Sequence, residues 1–152
     1  MLWRALAGEG SAPSWLAPLH QHNQALWDLE ARVRSRALAD SQVADLKRQI
    51  DALNLARHGA VAGIDAAVDA HFRPTATLET PGVVLSSESV GQLLDRLSIL
   101  ALKQAAWAGT PRSAGVAARV ELLVRCLDRS LVALAEGQAL PQSFDEAKTY
   151  GA

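Results

Sequence analysis

The sequence has little of several features that would point to a particular class of protein. Cys126 is its one cysteine, so no internal disulfide can form and the disulfide frameworks of small secreted domains are excluded. No apolar run approaches the ~20 residues that a membrane-spanning helix needs, and the stretch 1–8 lacks the long apolar centre of a signal peptide. These absences predict a protein that stays in the cytoplasm.

Charge of one sign and aromatic residues are also scarce. Fifteen basic and sixteen acidic residues give a formal net charge of −1, which leaves no overall field to gather nucleic acid or an anionic membrane, so neither partner is expected. The chain has four Trp, two Phe and one Tyr, whereas hydrophobic residues make up 49% of it, most of them Ala and Leu. Because Ala and Leu favour helices over strands, the composition predicts an all-helical protein.

Apolar residues recur every three to four positions in four segments, as they do on one face of an amphipathic helix. Gly59 and Gly63 fall inside the second segment, where they are expected to allow a bend or a close approach of two helices. Residues 86–88, Ser-Ser-Glu, are expected to cap the third. The predicted helices run from about 14 to 37, from 40 or 41 to about 72, from about 88 to 108 and from 111 to 136.

The connections between these segments are short except for residues 73–87, which hold two prolines and are expected to cross one end of the bundle. Short connections favour antiparallel neighbours. Residues 1–152 are therefore predicted to form one all-α domain, an antiparallel up-down four-helix bundle with a short C-terminal tail. The third helix should be the most buried, since Val90–Leu102 leaves little polar face. Cys126 lies in an apolar run and is expected to be a small buried hydrophobe rather than a nucleophile.

Several polar side chains occupy positions where the helical pattern calls for an apolar one. Asn23 and Glu30 fall on the leucine stripe of the first predicted helix. Arg57 falls on the core face of the second, and Asp95 lies within the apolar run of the third. Burying such groups unpaired costs ~2–7 kcal/mol each, so they are expected to meet one another. Polar residues next to them in the pattern extend the set to His20, Asn54, His58, Arg96 and Lys103.

Two interpretations of this set stay open. In one, Glu30, Arg57 and Asp95 form a buried ion-pair network that fixes the register of the helices. In the other, they line a polar pocket between helices, where bundles build ligand sites. No metal is expected, because His20 and His22 diverge on a helix and no Glu-x-x-His motif occurs.

Three stretches of the chain carry a family pattern. The first holds His20, Asn23, Leu26-Trp27, Glu30 and Arg32, and the second holds Lys47-Arg48-Gln49-Ile50-Asp51-Ala52-Leu53-Asn54, Arg57 and Ile64-Asp65. The third is Ser87–Lys103, with Asp95-Arg96-Leu97-Ser98-Ile99-Leu100 as its most specific part. Together they resemble the bacterial domain-of-unknown-function family 4254 over roughly Leu16–Tyr150.

The resemblance adds weight to the residues that the periodicity selects. Members of that family occur beside bacterial glycan and specialised-metabolite genes, which implies a biosynthetic role. The chain departs from the family in having Ser89-Val90 where Thr-Pro is usual and His58-Gly59 where Asn-Asp is usual. Five of the selected polar residues fall within the family motifs, namely Asn23, Glu30, Asn54, Arg57 and Asp95.

The pocket interpretation predicts a small cofactor-free biosynthetic enzyme that acts on an anionic small molecule by acid/base chemistry, such as an elimination or an intramolecular ring closure. Glu30 or Asp95 would be the base and Arg57 would hold the anion, while His58 and His20 would carry protons near neutral pH. The predicted catalytic residues are Asp95, Glu30 and His58, and the predicted substrate-binding residues are Arg57, Asn23, Asn54, His20, Arg96 and Lys103.

The alternative is a non-catalytic helical subunit or adaptor for a biosynthetic or glycan-assembly enzyme, with a protein partner or a second copy of the chain as its ligand. Trp3, Trp15 and Trp107 lie near predicted helix ends or outside the core stripes, and exposed Trp is typical of interface anchors. Packing of these residues at the ends of the bundle is the other interpretation.

Overall fold

A computed structural model of the chain describes residues 16–34 and 38–142. Over these ranges the chain forms four helices, α1 (Ala17–Val33), α2 (Asp40–Phe72), α3 (Val90–Ala106) and α4 (Arg112–Ala135), and no strands. Asp65, late in α2, contacts Gly91 at the start of α3, whereas Arg57, earlier in α2, contacts Asp95 further along α3. The two helices therefore run antiparallel. The predicted all-α four-helix bundle is confirmed.

The helix boundaries follow local capping chemistry. Helix α2 runs unbroken from Asp40 to Phe72, as predicted, and ends where Arg73 takes a left-handed conformation with φ of 49°. Helix α3 is capped by Ser89, not by residues 86–88 as expected. Ser89 Oγ accepts from the backbone N–H of Gln92, and Gln92 Oε1 accepts from the Ser89 N–H at 2.8 Å, which completes a capping box.

Helix α3 lies at the centre of the fold, packed against the other three helices. Seven of its residues are buried, which confirms that it is the most buried helix described. A second, smaller apolar cluster lies between the C-terminal part of α1 and the N-terminal part of α2, and it consists of Leu29, Leu46 and Ile50. The main core consists of Leu16, Leu19, Ile64, Val90, Leu93, Leu94, Leu97, Ala101, Val116, Val120, Leu123, Leu127, Ala133, Leu134 and Ala139.

A buried carboxylate joins α2 to the first turn of α3. Asp65 Oδ2 accepts from Ser89 Oγ at 2.6 Å, and Asp65 Oδ1 accepts from the backbone N–H of Gly91 at 2.7 Å. Burial raises the pKa of Asp65, although these two hydrogen bonds act in the opposite direction. A Cβ atom on Gly91 would lie 2.7 Å from the backbone oxygen of Val61, so the helices approach closely here because residue 91 is glycine. We call this set of three residues, Asp65, Ser89 and Gly91, the Asp65 contact.

Residues 73–89 link α2 to α3 and are tied to the segment that follows α4. Val84 forms an isolated parallel bridge with Ala139, and its N–H donates to the carbonyl of Gln138 at 2.8 Å. Gln142 donates from its backbone N–H to Asp69 Oδ1 and accepts with Oε1 from the N–H of Val90. These hydrogen bonds fix the chain after α4 against the ends of α2 and α3.

Several expectations about single residues are corrected. Gly59 and Gly63 are not points of close helix approach, because a Cβ at either position would meet nothing within 4 Å. Cys126 is exposed, not buried. Trp107 is partly buried against the main core, which favours the end-packing interpretation for this residue. Trp3, Trp15 and the C-terminal tail lie outside the described residues. None of the described helices is long and apolar enough to cross a membrane.

Candidate functional site

Asn23 is the buried polar residue of α1 that the pattern predicts, with 3% of its surface exposed. Its amide Nδ2 donates to Asp95 Oδ1 at 2.8 Å and to Ser98 Oγ at 3.1 Å, both on α3. The two hydrogens of this nitrogen are thereby both used. Asn23 therefore holds the Asp95 carboxylate and the Ser98 hydroxyl at fixed positions between α1 and α3.

His20 extends the same set of hydrogen bonds by one member. Its Nδ1 lies 2.8 Å from Ser98 Oγ, and Ser98 is fully buried. Ser98 Oγ accepts from Asn23, and its hydroxyl can donate to His20 Nδ1 in the neutral imidazole that carries its proton on Nε2. Burial lowers the pKa of His20 and favours this neutral form.

Arg57 on α2 meets the same carboxylate from the other side. Its Nη1 lies 3.4 Å from Asp95 Oδ2, and its Nη2 lies 3.1 Å from His58 Nε2. The Arg57 and Asp95 side chains are 21% and 16% exposed, so the pair is largely shielded from water. The Nε–H of Arg57 is buried and has no acceptor among the described residues. We call His20, Asn23, Arg57, Asp95 and Ser98 the polar network.

A pocket of about 260 Å³ opens beside the polar network between α1, α2 and α3. Its polar side includes the cations Arg34 and Arg57 and the carboxylate of Glu30, with Asn23 and Asn54 beside them. Leu26, Trp27, Ile99 and Leu102 form its apolar side.

The prediction that Glu30 faces the core is wrong. Glu30 is exposed, and no ion pair joins it to Arg57 among the described residues, so the predicted three-residue network reduces to the Arg57–Asp95 pair. Glu30 instead lies on the wall of the pocket, open to water. A carboxylate in this position can exchange a proton with a bound molecule.

Two predicted binding residues lie apart from the pocket. Arg96 Nη1 donates to both carboxylate oxygens of Glu88 at 2.5 Å. Its charge is therefore paired with Glu88, just before the start of α3. Lys103 stands 5.9 Å from the centre of the Trp107 ring at the other end of that helix. The structure thus brings His20, Asn23, Asn54, Arg57, His58 and Asp95 together, with Glu30 on the pocket wall, and leaves Arg96 and Lys103 elsewhere.

Two residues of the site, Ser98 and Arg34, are absent from the set that the sequence predicts. Ser98 lies three positions after Asp95 on α3, on the same face, and that spacing was the available signal. Arg34 follows α1, four residues after Glu30, so it projects beside that carboxylate.

The donor set does not suit a metal. Among the described residues, no three His, Cys, Asp or Glu side chains come close enough to hold one ion. Beside the carboxylates, the site presents a guanidinium, amides and imidazoles, which suit an anionic organic ligand.

Comparison with known proteins gives one match. No curated protein and no solved structure matches the chain significantly. A family model described as a protein of unknown function (DUF4254) matches residues 13–146, nearly the whole chain. The resemblance carried by the three sequence stretches is therefore confirmed, and the chain belongs to this family.

Proposed function

We propose that this protein is a cofactor-free biosynthetic enzyme of the bacterial cytoplasm that acts on an anionic small molecule by acid/base chemistry in the polar pocket. The observation that carries the proposal is Arg57. Its guanidinium lines the pocket, is held by Asp95 and His58, and has a buried Nε–H for which the described part of the chain offers no acceptor. An unsatisfied buried donor costs ~1–3 kcal/mol, a cost that an arriving oxyanion offsets by accepting from the guanidinium.

The pocket provides two cations for one anionic group. Arg57 and Arg34 line it together, and Arg34 is exposed, so it is free to turn toward a bound carboxylate, phosphate or sulfate. Asp95 contacts Arg57 through a single 3.4 Å approach, which leaves other N–H groups of the guanidinium to donate to an anion. Asn23 directs both amide hydrogens into the network and so fixes Asp95, which in turn fixes the guanidinium. We assign Asp95 as a positioning residue for Arg57.

We assign Glu30 as the acid/base group. The sequence alone allowed either Glu30 or Asp95 in this role. Glu30 is exposed on the pocket wall, whereas Asp95 is held behind Asn23 and Arg57. In an elimination, the Glu30 carboxylate takes a proton from the substrate, the electrons of the broken bond form a double bond, and an anionic group held by Arg57 departs. In a ring closure, Glu30 takes the proton of the attacking group, whose electron pair bonds to an electrophilic carbon, and Arg57 stabilises the negative charge that develops on the oxygen of that carbon. His58 Nε2 accepts from Arg57 Nη2 and so helps to hold the guanidinium in place.

Anion binding is tested first, because it needs no knowledge of the substrate. Isothermal titration of the full chain with malonate, phosphate and sulfate should give one saturable site, and Arg57→Met should weaken it at least tenfold. Arg48→Met is the matched control, since Arg48 lies on the same helix, is 71% exposed and, among the residues that the structure describes, pairs with Asp45 alone. An equal loss of binding in the two variants would exclude Arg57 as the anion site.

Catalysis is tested separately with Glu30→Gln. Glu30 is exposed and forms no ion pair with the other described residues, so the substitution should leave the unfolding midpoint within about 1 °C of wild type, as is usual for surface changes. Incubation of the protein with a bacterial metabolite extract, followed by mass spectrometry, should show one anionic compound consumed by wild type and spared by Glu30→Gln. Consumption by both proteins at the same rate would remove Glu30 from the mechanism.

The alternative, a non-catalytic subunit or adaptor, is favoured by a different observation. Leu55, Leu78 and Leu85 are 74%, 67% and 66% exposed, and the last two lie in the same connection between α2 and α3. Exposed leucines such as these can be buried by a protein partner. Light scattering distinguishes the two functions, because a strictly monomeric protein that binds malonate through Arg57 would contradict the adaptor.

A further inference from the structure

A second cavity, larger than the polar pocket, lies on another side of α3. Helix α4 packs on α3 but diverges from α2, and a groove of about 810 Å³ remains between α2 and α4. Buried side chains from three helices form its floor, among them Ile64, Leu94 and Leu127. We call this space the apolar groove; it is lined by Pro18, Ala60, Gly63, Ile64, Ala67, Val68, His71, Phe72, Val90, Leu94, Leu127, Asp128 and Leu131.

Such a space is unusual inside a helical bundle. Protein interiors pack as densely as organic crystals and leave few voids larger than a water molecule. Water does not fill an apolar cavity favourably, because it needs two to four polar partners there. The volume lies within the range of about 300–1,000 Å³ that small-molecule sites occupy, and those sites are lined mainly by apolar side chains with a few polar groups.

The polar groups of the apolar groove lie at its rim. Asp128 and His71 are its two titratable residues, and both are exposed. Asp128 pairs with no cation among the described residues, so its carboxylate is available as an acceptor at the rim. The groove therefore combines a hydrocarbon-lined interior with one negative charge where it meets water.

From this arrangement we propose that the apolar groove binds a single aliphatic chain with a hydrogen-bond-donating head group, an amine or a hydroxyl. The chain lies over Ile64, Leu94 and Leu127, and the head group donates to Asp128. The site is independent of the proposed acid/base function, because α3 presents Val90 and Leu94 to the groove and Ile99 and Leu102 to the polar pocket. These pairs point to different sides of the helix.

Chain length tests the hydrocarbon part. In isothermal titrations with butylamine, hexylamine, octylamine and decylamine, each added methylene should tighten the dissociation constant about fourfold, since burial of one methylene is worth ~0.8 kcal/mol. Decanoate should bind more weakly than decylamine, and Asp128→Asn should reduce that preference by about two- to fivefold, the range of an exposed ion pair. Absence of decylamine binding, or no dependence on chain length, would overturn the proposal.

Filling the groove tests its location with a matched pair of variants. Gly63 lines the groove and Gly59, one helical turn earlier, does not, yet a Cβ at either glycine would meet nothing within 4 Å. Both replacements by leucine raise the helix propensity of α2 equally. Gly63→Leu should weaken decylamine at least tenfold while Gly59→Leu leaves it unchanged, and the two unfolding midpoints should rise alike.

Two other occupants give different results in the same experiment. If another part of the chain fills the groove, Gly63→Leu lowers the unfolding midpoint relative to Gly59→Leu. If a second copy fills it, Gly63→Leu alone halves the mass measured by light scattering. Either result contradicts a small aliphatic ligand, whereas a selective loss of decylamine binding in a folded protein of unchanged mass supports it.

Discussion

Replacement of Gly91 by alanine should destabilise the fold more than the size of a methyl group suggests. The new Cβ would lie 2.7 Å from the backbone oxygen of Val61 and 2.8 Å from Asp65 Oδ1, so α3 must move away from α2. That movement stretches the 2.7 Å and 2.6 Å hydrogen bonds of the Asp65 contact. Overpacking costs ~1–3 kcal/mol, and a buried carboxylate that loses its donors costs ~1–3 kcal/mol more. We expect a total near ~3 kcal/mol.

Gly59→Ala is the control, because residue 59 lies inside a helix with nothing near its added Cβ. It should stabilise the protein by up to ~1 kcal/mol through helix propensity. For a domain of this size, thermal unfolding followed by circular dichroism should show a fall of about 6–12 °C for Gly91→Ala and a rise of about 2–4 °C for Gly59→Ala. A rise in both variants would refute the close approach of α2 and α3 at Gly91.

Three further predictions follow from the titrating and paired groups. Because burial raises the pKa of Asp65, its contribution to stability falls as pH rises through that pKa, so unfolding midpoints should show Asp65→Asn more destabilising near about pH 4 than about pH 7. Burial lowers the pKa of His20, so stability falls as pH drops below about 6.5, and His20→Asn should reduce that loss in urea titrations. Arg57→Met and Asp95→Asn should be non-additive by about 1 kcal/mol in a double-mutant cycle. Equal pH profiles, or strict additivity, would contradict these assignments.

The helices could be predicted from the sequence because their apolar spacing is strong. Helix α2 matches its predicted span, since Asp40 and Pro74 bracket a long periodic run. Helix α3 starts later than predicted, because three serines, Ser86, Ser87 and Ser89, lie close together and each suits a cap. The residue that caps is chosen by a tertiary contact, the hydrogen bond from Ser89 to Asp65, which periodicity does not contain.

The polar network could be predicted only in part, for a geometric reason. A helical stripe spans more than 100°, so a residue at its edge can face either the core or the water. Asn23 lies on the inner side and is buried, whereas Glu30, seven residues later, lies on the outer side and is exposed. Arg57 and Asp95 were found because each lies within an apolar run with oppositely charged partners available on a neighbouring helix.

Two sets of residues on and beside α2 and α3 serve different physical purposes. Asp65, Ser89 and Gly91 set how α2 and α3 approach, while Arg57 and Asp95 on the same two helices belong to the polar network. A change in the Asp65 contact therefore alters the spacing of the Arg57–Asp95 pair without touching either residue. Loss of malonate binding in folded Gly91→Ala, with Arg57 intact, would show that the contact between the helices positions the anion site. Unchanged binding would show that Asn23 holds Asp95 in place independently of that contact.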